Sequence, residues 1–299
     1  MSLEKCSHNK ESFYKYMSAS TAKIVLSTKR LRWSSPTEFN DPFDVPRELG
    51  LHITPKKIME AIVERQIYLF KNLPDDLTGY NSKFKTILDA LKNNNEPELV
   101  DEFITSVRGI LEEESPSSFS LDQYRKYWDE LIPEMRILCL SESYSKTSMW
   151  NHYADGYKGA VIEFLCDDEL DSAWKLAKPI NYSDDAPFLS TAEGWAKMLM
   201  LTQEAAANML FDVSMYSKSL DWAYEGEWRI SSFKRPDDKG SYTDYGFNEK
   251  EVGNLYLGPF MEPEAKAALI YEAKNYRNMN VIESFIGNGR NLSFTPINC

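Results

Sequence analysis

The sequence predicts an α+β fold: a mixed, largely antiparallel β core with flanking helices and an all-helical insertion. Short apolar runs of strand length are scattered along the chain without the steady strand–helix alternation of a parallel sheet. Residues 136–165 place a strand, a short helix and a second strand in close succession. Residues 54–134, by contrast, show helical periodicity throughout, with charges on the outer face. The 299 residues therefore read as one α+β domain with the segment 54–134 inserted in it.

Taken in order, Ser12 to Met17 alternate as a first strand, and Ser20 caps a helix to about Thr28 with Ile24, Val25 and Leu26 toward the core. Leu31 to Ser34 form a second strand, closed by Ser35-Pro36. The run FNDPFDVP, residues 39–46, is a turn: Asp41 precedes a proline, and Asn and Asp bond their own backbone. Phe39 and Phe43 would anchor it on the core. Thr54-Pro55 is a cap followed by proline at the first helical position, opening a helix to about Asn72. Further helical segments cover about 81–93, 97–114 and 121–131.

Arg136 to Ser141 is a strand, and the Ser- and Thr-rich stretch after it can cap the next helix. In that helix Met149 and Tyr153, and Trp150 and Ala154, are spaced i, i+4. Asp155-Gly156 ends it and Gly159 to Leu165 return as a strand. A helix about 168–177, a strand Pro179–Tyr182 and a long helix Ala192–Ser217 follow, the last with Met198, Met200, Met209 and Leu210 as core. Asp221 to Ile230 read as extended, which puts Glu225, Glu227 and Arg229 on one face and Trp228 and Ile230 on the other. A strand (Asn254–Leu257), a helix (about 262–276) and strands at Asn280–Ile286 and Leu292–Pro296 complete the chain.

Composition narrows the function. With 46 acidic against 34 basic residues the net charge is -12, which argues against non-specific binding to nucleic acid or anionic lipid. Cys6, Cys139, Cys166 and Cys299 form no CxxC pair and suit free thiols in a reducing compartment. His8, His52 and His152 lack HxH or HExxH spacing, so no metal is expected. No signal-peptide pattern and no membrane-length apolar run are present, so the expected location is cytoplasmic, with no membrane partner.

The chemistry-bearing residues cluster late in the chain. Glu225 and Glu227 flank one glycine, and two carboxylates on one face raise the pKa of at least one. Such a pair suits a developing positive charge or a ribose hydroxyl; the plainer alternative is a solvated edge on which Arg229 neutralises Glu227. His152 is a candidate base or donor, or else a histidine bonded to Asp155. Trp150 and Tyr153 would stack on a ligand ring or pack in the core. Lys15, between two tyrosines, would meet a pyrophosphate or snorkel to solvent. Asn40 and Asp41 form a turn that can also present polar groups to a pocket. No GxxxxGK[ST] or GxGxxG motif occurs.

Three boxes together, YKY with LRWSSPTEFNDPFD, MWNHYADGYKGAVIEF, and WAYEGEWRI, resemble domain-of-unknown-function family 2971, which implies no particular reaction. More distantly, the order of strand, helix, strand, aromatic box and ExE strand looks like the ADP-ribosyltransferase superfamily. That resemblance implies NAD as substrate, Glu227 supporting an oxocarbenium ion at the nicotinamide ribose and Glu225 as its accessory; His152 is set beside them by supposition. Lys15, Trp150, Tyr153, Arg229 and Asn40 would then hold the nucleotide. Two departures stand out: Lys15 falls where the superfamily has Arg or His, and Ser34-Ser35 is all that answers its Ser-Thr-Ser strand.

The expectation is thus a cytoplasmic NAD-using transferase or glycohydrolase. The alternative is a non-catalytic binding protein whose insertion 54–134 contacts a protein partner. A third reading is a metal-dependent hydrolase using Asp41, Asp155 and the glutamate pair.

Overall fold

A computed structural model describes residues 8–47, 49, 53–94, 96–113 and 122–297. Cys6, His52 and Cys299, and residues 114 and 121 at the ends of two expected helices, lie outside the described residues. The chain opens with β1 (Ser12–Met17), α1 (Ala19–Thr28) and β2 (Arg30–Ser34). Then come α2 (Pro55–Lys71), α3 (Ser82–Asn94), α4 (Pro97–Glu113) and α5 (Asp122–Leu131). The central unit is β3 (Met135–Ser141), α6 (Thr147–Tyr153) and β4 (Ala160–Leu165). Short strands β5 (Lys178–Pro179) and β6 (Asn181–Tyr182) precede α7 (Ala192–Leu199), α8 (Gln203–Met215) and β7 (Ser217–Lys218). β8 (Glu227–Phe233), β9 (Tyr242–Gly246), β10 (Val252–Leu257), α9 (Pro263–Ala273), β11 (Asn280–Ile286) and β12 (Leu292–Ile297) finish it.

The chain divides into two compact units. One takes Met1–Asn40, Ile132–Ser183 and Lys218–Cys299; the other takes Asp41–Leu131 and Asp184–Ser217. The helical block therefore gains a second chain segment, the one carrying α7 and α8.

The first unit is built on a ten-stranded mixed sheet, so the fold is α+β. Its main path runs β12-β11-β10-β4-β1-β3-β2-β9, with β8 paired to β3 and β5 to β8. The β10–β11 pairing is parallel and the other strand pairings of this sheet are antiparallel. β8 lies along the whole of β3, from Met135↔Phe233 to Ser141↔Glu227. On the other edge of β3, β1 and β2 each meet it at one register pair, Tyr14↔Ser141 and Ser34↔Ile137.

Strand alternation then sorts the side chains. Leu138 and Leu140 of β3 and Ile230 of β8 are buried in one core with Val25 and Leu26 of α1 and Leu269 of α9. Tyr16, Val161 and Tyr256 belong to a second cluster, covered by Met149 and Trp150 of α6. Each large apolar side chain taken fully out of water contributes about 1.5–3 kcal/mol. Gly258 owes its identity to a close approach: a Cβ there would lie 2.1 Å from the Tyr157 carbonyl oxygen.

The second unit packs Val63, Leu69 and Phe70 of α2 against Phe84 and Leu88 of α3 and Ile104 and Val107 of α4. Thr54 caps α2 as expected, its hydroxyl accepting from the Lys57 amide. Trp128 of α5 is fully buried and donates its indole N–H to the Pro46 carbonyl at 2.6 Å.

Several expectations need correcting. Ser18, rather than Ser20, caps α1. The helix α6 starts after Lys146 with no side-chain cap, so the Ser- and Thr-rich stretch is loop. The helix expected about 168–177 contracts to one 3-10 turn, Ala173–Leu176. The long helix Ala192–Ser217 is two helices, because Thr202 caps α8 and the Thr202 amide bonds the Gly79 carbonyl at 2.9 Å. Phe43 is 86% exposed and anchors nothing, whereas Phe39 lies under the Arg229 guanidinium at 5.3 Å. β9 was not foreseen.

Candidate functional site

The polar face of β3 and β8 is fixed by alternation opposite the apolar one. Cys139 stands across from Arg229, and Ser141 across from Glu227. Glu225 is not on the strand, contrary to the extended reading of Asp221 to Ile230. It ends a 3-10 helix, Leu220–Glu225, and Gly226 turns the chain into β8 with a left-handed φ of 52°. A Cβ at Gly226 would also meet the Glu142 side chain at 2.9 Å, so glycine is required twice over. The Ser141 hydroxyl donates to the Glu225 carbonyl at 2.6 Å and pins the turn.

The two carboxylates converge on one ammonium. Lys218 Nζ donates to Glu225 Oε2 at 2.7 Å and to Glu227 Oε2 at 3.1 Å. Arg229 closes the other side of Glu227, Nε to Oε1 at 2.6 Å and a terminal nitrogen to Oε2 at 3.1 Å. The Tyr153 hydroxyl donates to Glu225 Oε1 at 2.5 Å. The Glu227 amide donates to the Tyr182 hydroxyl at 2.8 Å. Trp222 lies 4.9 Å from the Lys218 ammonium, in cation–π range. Glu225, Glu227, Lys218 and Arg229 are all buried.

Electrostatically the pair is split. Burial drives the Glu225 carboxyl above its ordinary value, against the opposing pull of Lys218 and the Tyr153 hydroxyl. Burial acts in the same sense on Glu227, but the charge and hydrogen bonds of Arg229, then Lys218 and the Cys139 thiol, outweigh it and hold the group at about 2. Burial, reinforced by Glu225, pushes the Tyr153 phenol upward, so it stays a donor. The Cys139 thiol is likewise pushed up by burial and then by the Glu227 charge, which makes it a poor nucleophile.

Of the sequence-predicted residues, Glu225, Glu227, Tyr153 and Arg229 come together. His152 is exposed and joins from the rim: its Nδ1 is 2.9 Å from the hydroxyl of Tyr224, and Asp155 is not its partner. Lys15 donates to the Cys139 carbonyl at 2.7 Å, on the strand beside the network. Trp150 is fully buried, its indole bonded to the Tyr144 carbonyl at 2.7 Å, so it is core and offers no face to a ligand. Asn40 is exposed, in a bend outside the network. Lys218 and Tyr182 were missed as site residues: Tyr182 falls in the strand expected at Pro179–Tyr182 with nothing local to mark a role, and Lys218 lies in a two-residue strand that no local pattern announces. Among the described residues, no group of three or more His, Cys, Asp or Glu side chains could hold a metal ion. No described helix is long and apolar enough to cross a membrane.

With this geometry in place, comparison with known proteins gives one match. Residues 149–230 fit the model of a family described as a protein of unknown function, DUF2971. That segment begins in α6, ends in β8 and contains Tyr153, Tyr182, Lys218, Glu225, Glu227 and Arg229. The resemblance noted in the MWNHYAD and YEGEWRI boxes is met over this stretch. No curated protein and no solved structure matches the chain.

Chemically, the arrangement offers one carboxylate held ionised, one carboxyl ready to carry a proton, and a tyrosine hydroxyl bonded to the latter. Two titratable groups pushed apart in this way have the protonation states that an acid–base pair would require.

Proposed function

We propose that the sheet unit acts on NAD as a transferase or glycohydrolase, through an oxocarbenium ion at the nicotinamide ribose. The observation that carries this reading is the Lys218 ammonium, seated 2.7 Å and 3.1 Å from two buried carboxylates. It marks the point where the protein has prepared a negative field for a positive charge. In this reading Glu227 supplies the fixed charge, as the ExE resemblance implies. Glu225 and Tyr153 together hydrogen-bond a ribose hydroxyl and manage the proton of the attacking group. His152 and Tyr224, bonded to each other at the rim, contact the remainder of the ligand, with Lys15 on the phosphate side, while Arg229 stays buried against Glu227.

The test is nicotinamide release from NAD by the full chain, beside Glu225→Gln and Tyr153→Phe. Release should fall at least 100-fold in Glu225→Gln and about tenfold in Tyr153→Phe, with cooperative unfolding retained. NAD at about 100 times its dissociation constant should also raise wild-type stability by roughly 2.7 kcal/mol. Neither release nor a raised midpoint in the wild type would sink the reading.

One observation favours a second reading, a non-catalytic binding protein. Each carboxylate oxygen of Glu225 and Glu227 already accepts a hydrogen bond from Tyr153, Lys218 or Arg229. In that case the network is a structural lock, and the helical segment 54–134 is the surface for a protein partner. Retrieval of a partner by wild type but not by a chain with substituted α2–α5 surfaces, together with silence toward NAD, would favour it.

A further inference from the structure

Away from the Lys218 network, the sheet unit carries another buried carboxylate with different company. Glu163 of β4 is 8% exposed. Its Oε1 accepts from the Tyr14 hydroxyl at 3.0 Å, and its Oε2 accepts from the Asn254 amide at 3.1 Å and from Asn254 Nδ2 at 2.5 Å. All three donors are neutral. Among the described residues no lysine, arginine or histidine pairs with this carboxylate.

The backbone makes room for it. A Cβ at Gly253 would lie 2.8 Å from Glu163 Oε2, and the β10–β4 register shifts between Val252 and Leu255 at the same place. The carboxylate is thus accommodated by the fold.

Tyr14, which bonds Glu163, belongs to a chain of packed aromatic rings. Tyr144 stacks on Tyr256 at 4.4 Å and 13°, lies 5.3 Å from Tyr14, and meets Phe294 edge-on at 5.0 Å. Tyr14, Tyr144 and Phe294 are only half-buried, so they border solvent. Ring faces carry partial negative charge, and Tyr14 directly, and Tyr256 through Asn254, join these rings to the Glu163 carboxylate.

From this juxtaposition we infer that Tyr14, Tyr144, Tyr256 and Phe294, backed by Glu163, form a binding site for a small alkylammonium compound. A weakly hydrated organic cation gains from the ring faces and from the uncompensated charge together. A hard metal ion would require several oxygen ligands, which the rings do not supply. The site owes nothing to the NAD reading and stands or falls without it.

The experiment is a titration of the full chain with choline, followed by calorimetry and by unfolding midpoint at constant ionic strength. Sodium chloride and 3,3-dimethylbutanol, the uncharged counterpart of choline, are the controls. Wild type should bind choline saturably and at least tenfold more tightly than the neutral analogue. Glu163→Gln should weaken choline at least tenfold while leaving 3,3-dimethylbutanol unchanged. Tyr144→Leu keeps every Glu163 hydrogen bond and should also weaken choline at least tenfold, which covers the case in which Glu163→Gln does not fold. Choline acting no differently from sodium chloride overturns the inference. So does undiminished choline binding in either folded variant.

Discussion

Glu227 on β8 and Glu163 on β4 are buried to nearly the same degree, 6% and 8% exposed, yet they are stabilised in opposite ways. Glu227 is gripped by Arg229 and Lys218, so its charge is held between two cations inside the protein. Glu163 is held by a phenol, a backbone amide and a side-chain amide, so its charge is solvated but uncancelled. Cations compensate a buried charge strongly, but they leave a costly orphan when one partner is lost. Neutral donors leave the field of the carboxylate free to act on something outside the protein. The first arrangement suits a rigid centre; the second suits recognition.

Substitutions can break or sharpen this contrast. The largest effect should come from Arg229→Met, which leaves the Glu227 carboxylate buried with one cation fewer. Denaturant unfolding should show a loss of about 3–5 kcal/mol. Next, Lys218→Met removes the ammonium shared by both carboxylates. A double-mutant cycle with Glu225→Gln should return a coupling of about 1–3 kcal/mol, because the two groups share a buried hydrogen bond. Glu163→Gln keeps the shape and loses only the charge, so it should cost about 1–2 kcal/mol by the same unfolding assay. A cost as large as that of Arg229→Met would erase the distinction between the two sites. Last, Lys10→Ala breaks the half-exposed pair with Glu142, 2.7 Å apart at the surface, and should change stability by less than about 1 kcal/mol.

Acidity sharpens the comparison further. Glu225 has its folded pKa raised above the ordinary 4.5, so the folded chain holds that proton more tightly than the unfolded one. Its contribution to stability therefore falls as pH rises through and beyond 4.5. Glu227, held down at about 2, contributes stability that is full above 4.5 and is lost as pH falls toward 2. The stability gap between wild type and Glu225→Gln should accordingly narrow as pH rises above 4.5, as followed by urea midpoints. A gap that widened over that range would mean that Glu225 is ionised with a lowered pKa.

Much of the fold was written in local chemistry. Thr54-Pro55, the periodicity of 81–93 and 97–114, and the alternation of Ser12 to Met17 each depend on near neighbours, and the corresponding elements lie where expected. The losses came where a distant group decides. Thr202 breaks the long helix with help from Gly79, and Gly226 bends Glu225 off the strand against Glu142. Of the candidate site, the ExE box, Arg229 and Tyr153 were legible because they sit in compact aromatic boxes. Lys218 was not, since an isolated lysine among serines differs from surface lysines only through the fold. Trp150 illustrates the reverse: its position on α6 was right, but core packing, not a ligand, claims its ring.

The order of the strands in the sheet also sets a timetable. β1 gains a full ladder only when Met17 finds Ala160 and Ser12 finds Leu165, and β4 in turn waits for Val252 to Leu257. On a growing chain, the first strand leaves the ribosome long before its partner has been synthesised. Its tyrosines and phenylalanine spend that interval unpaired, which invites association with other chains. A sheet of such high contact order should refold on the slow, millisecond-to-second scale, while the helices of the other unit, rich in local contacts, can form earlier. Yield in expression should therefore respond to translation rate and chaperone supply more than to the modest energies of any single surface contact.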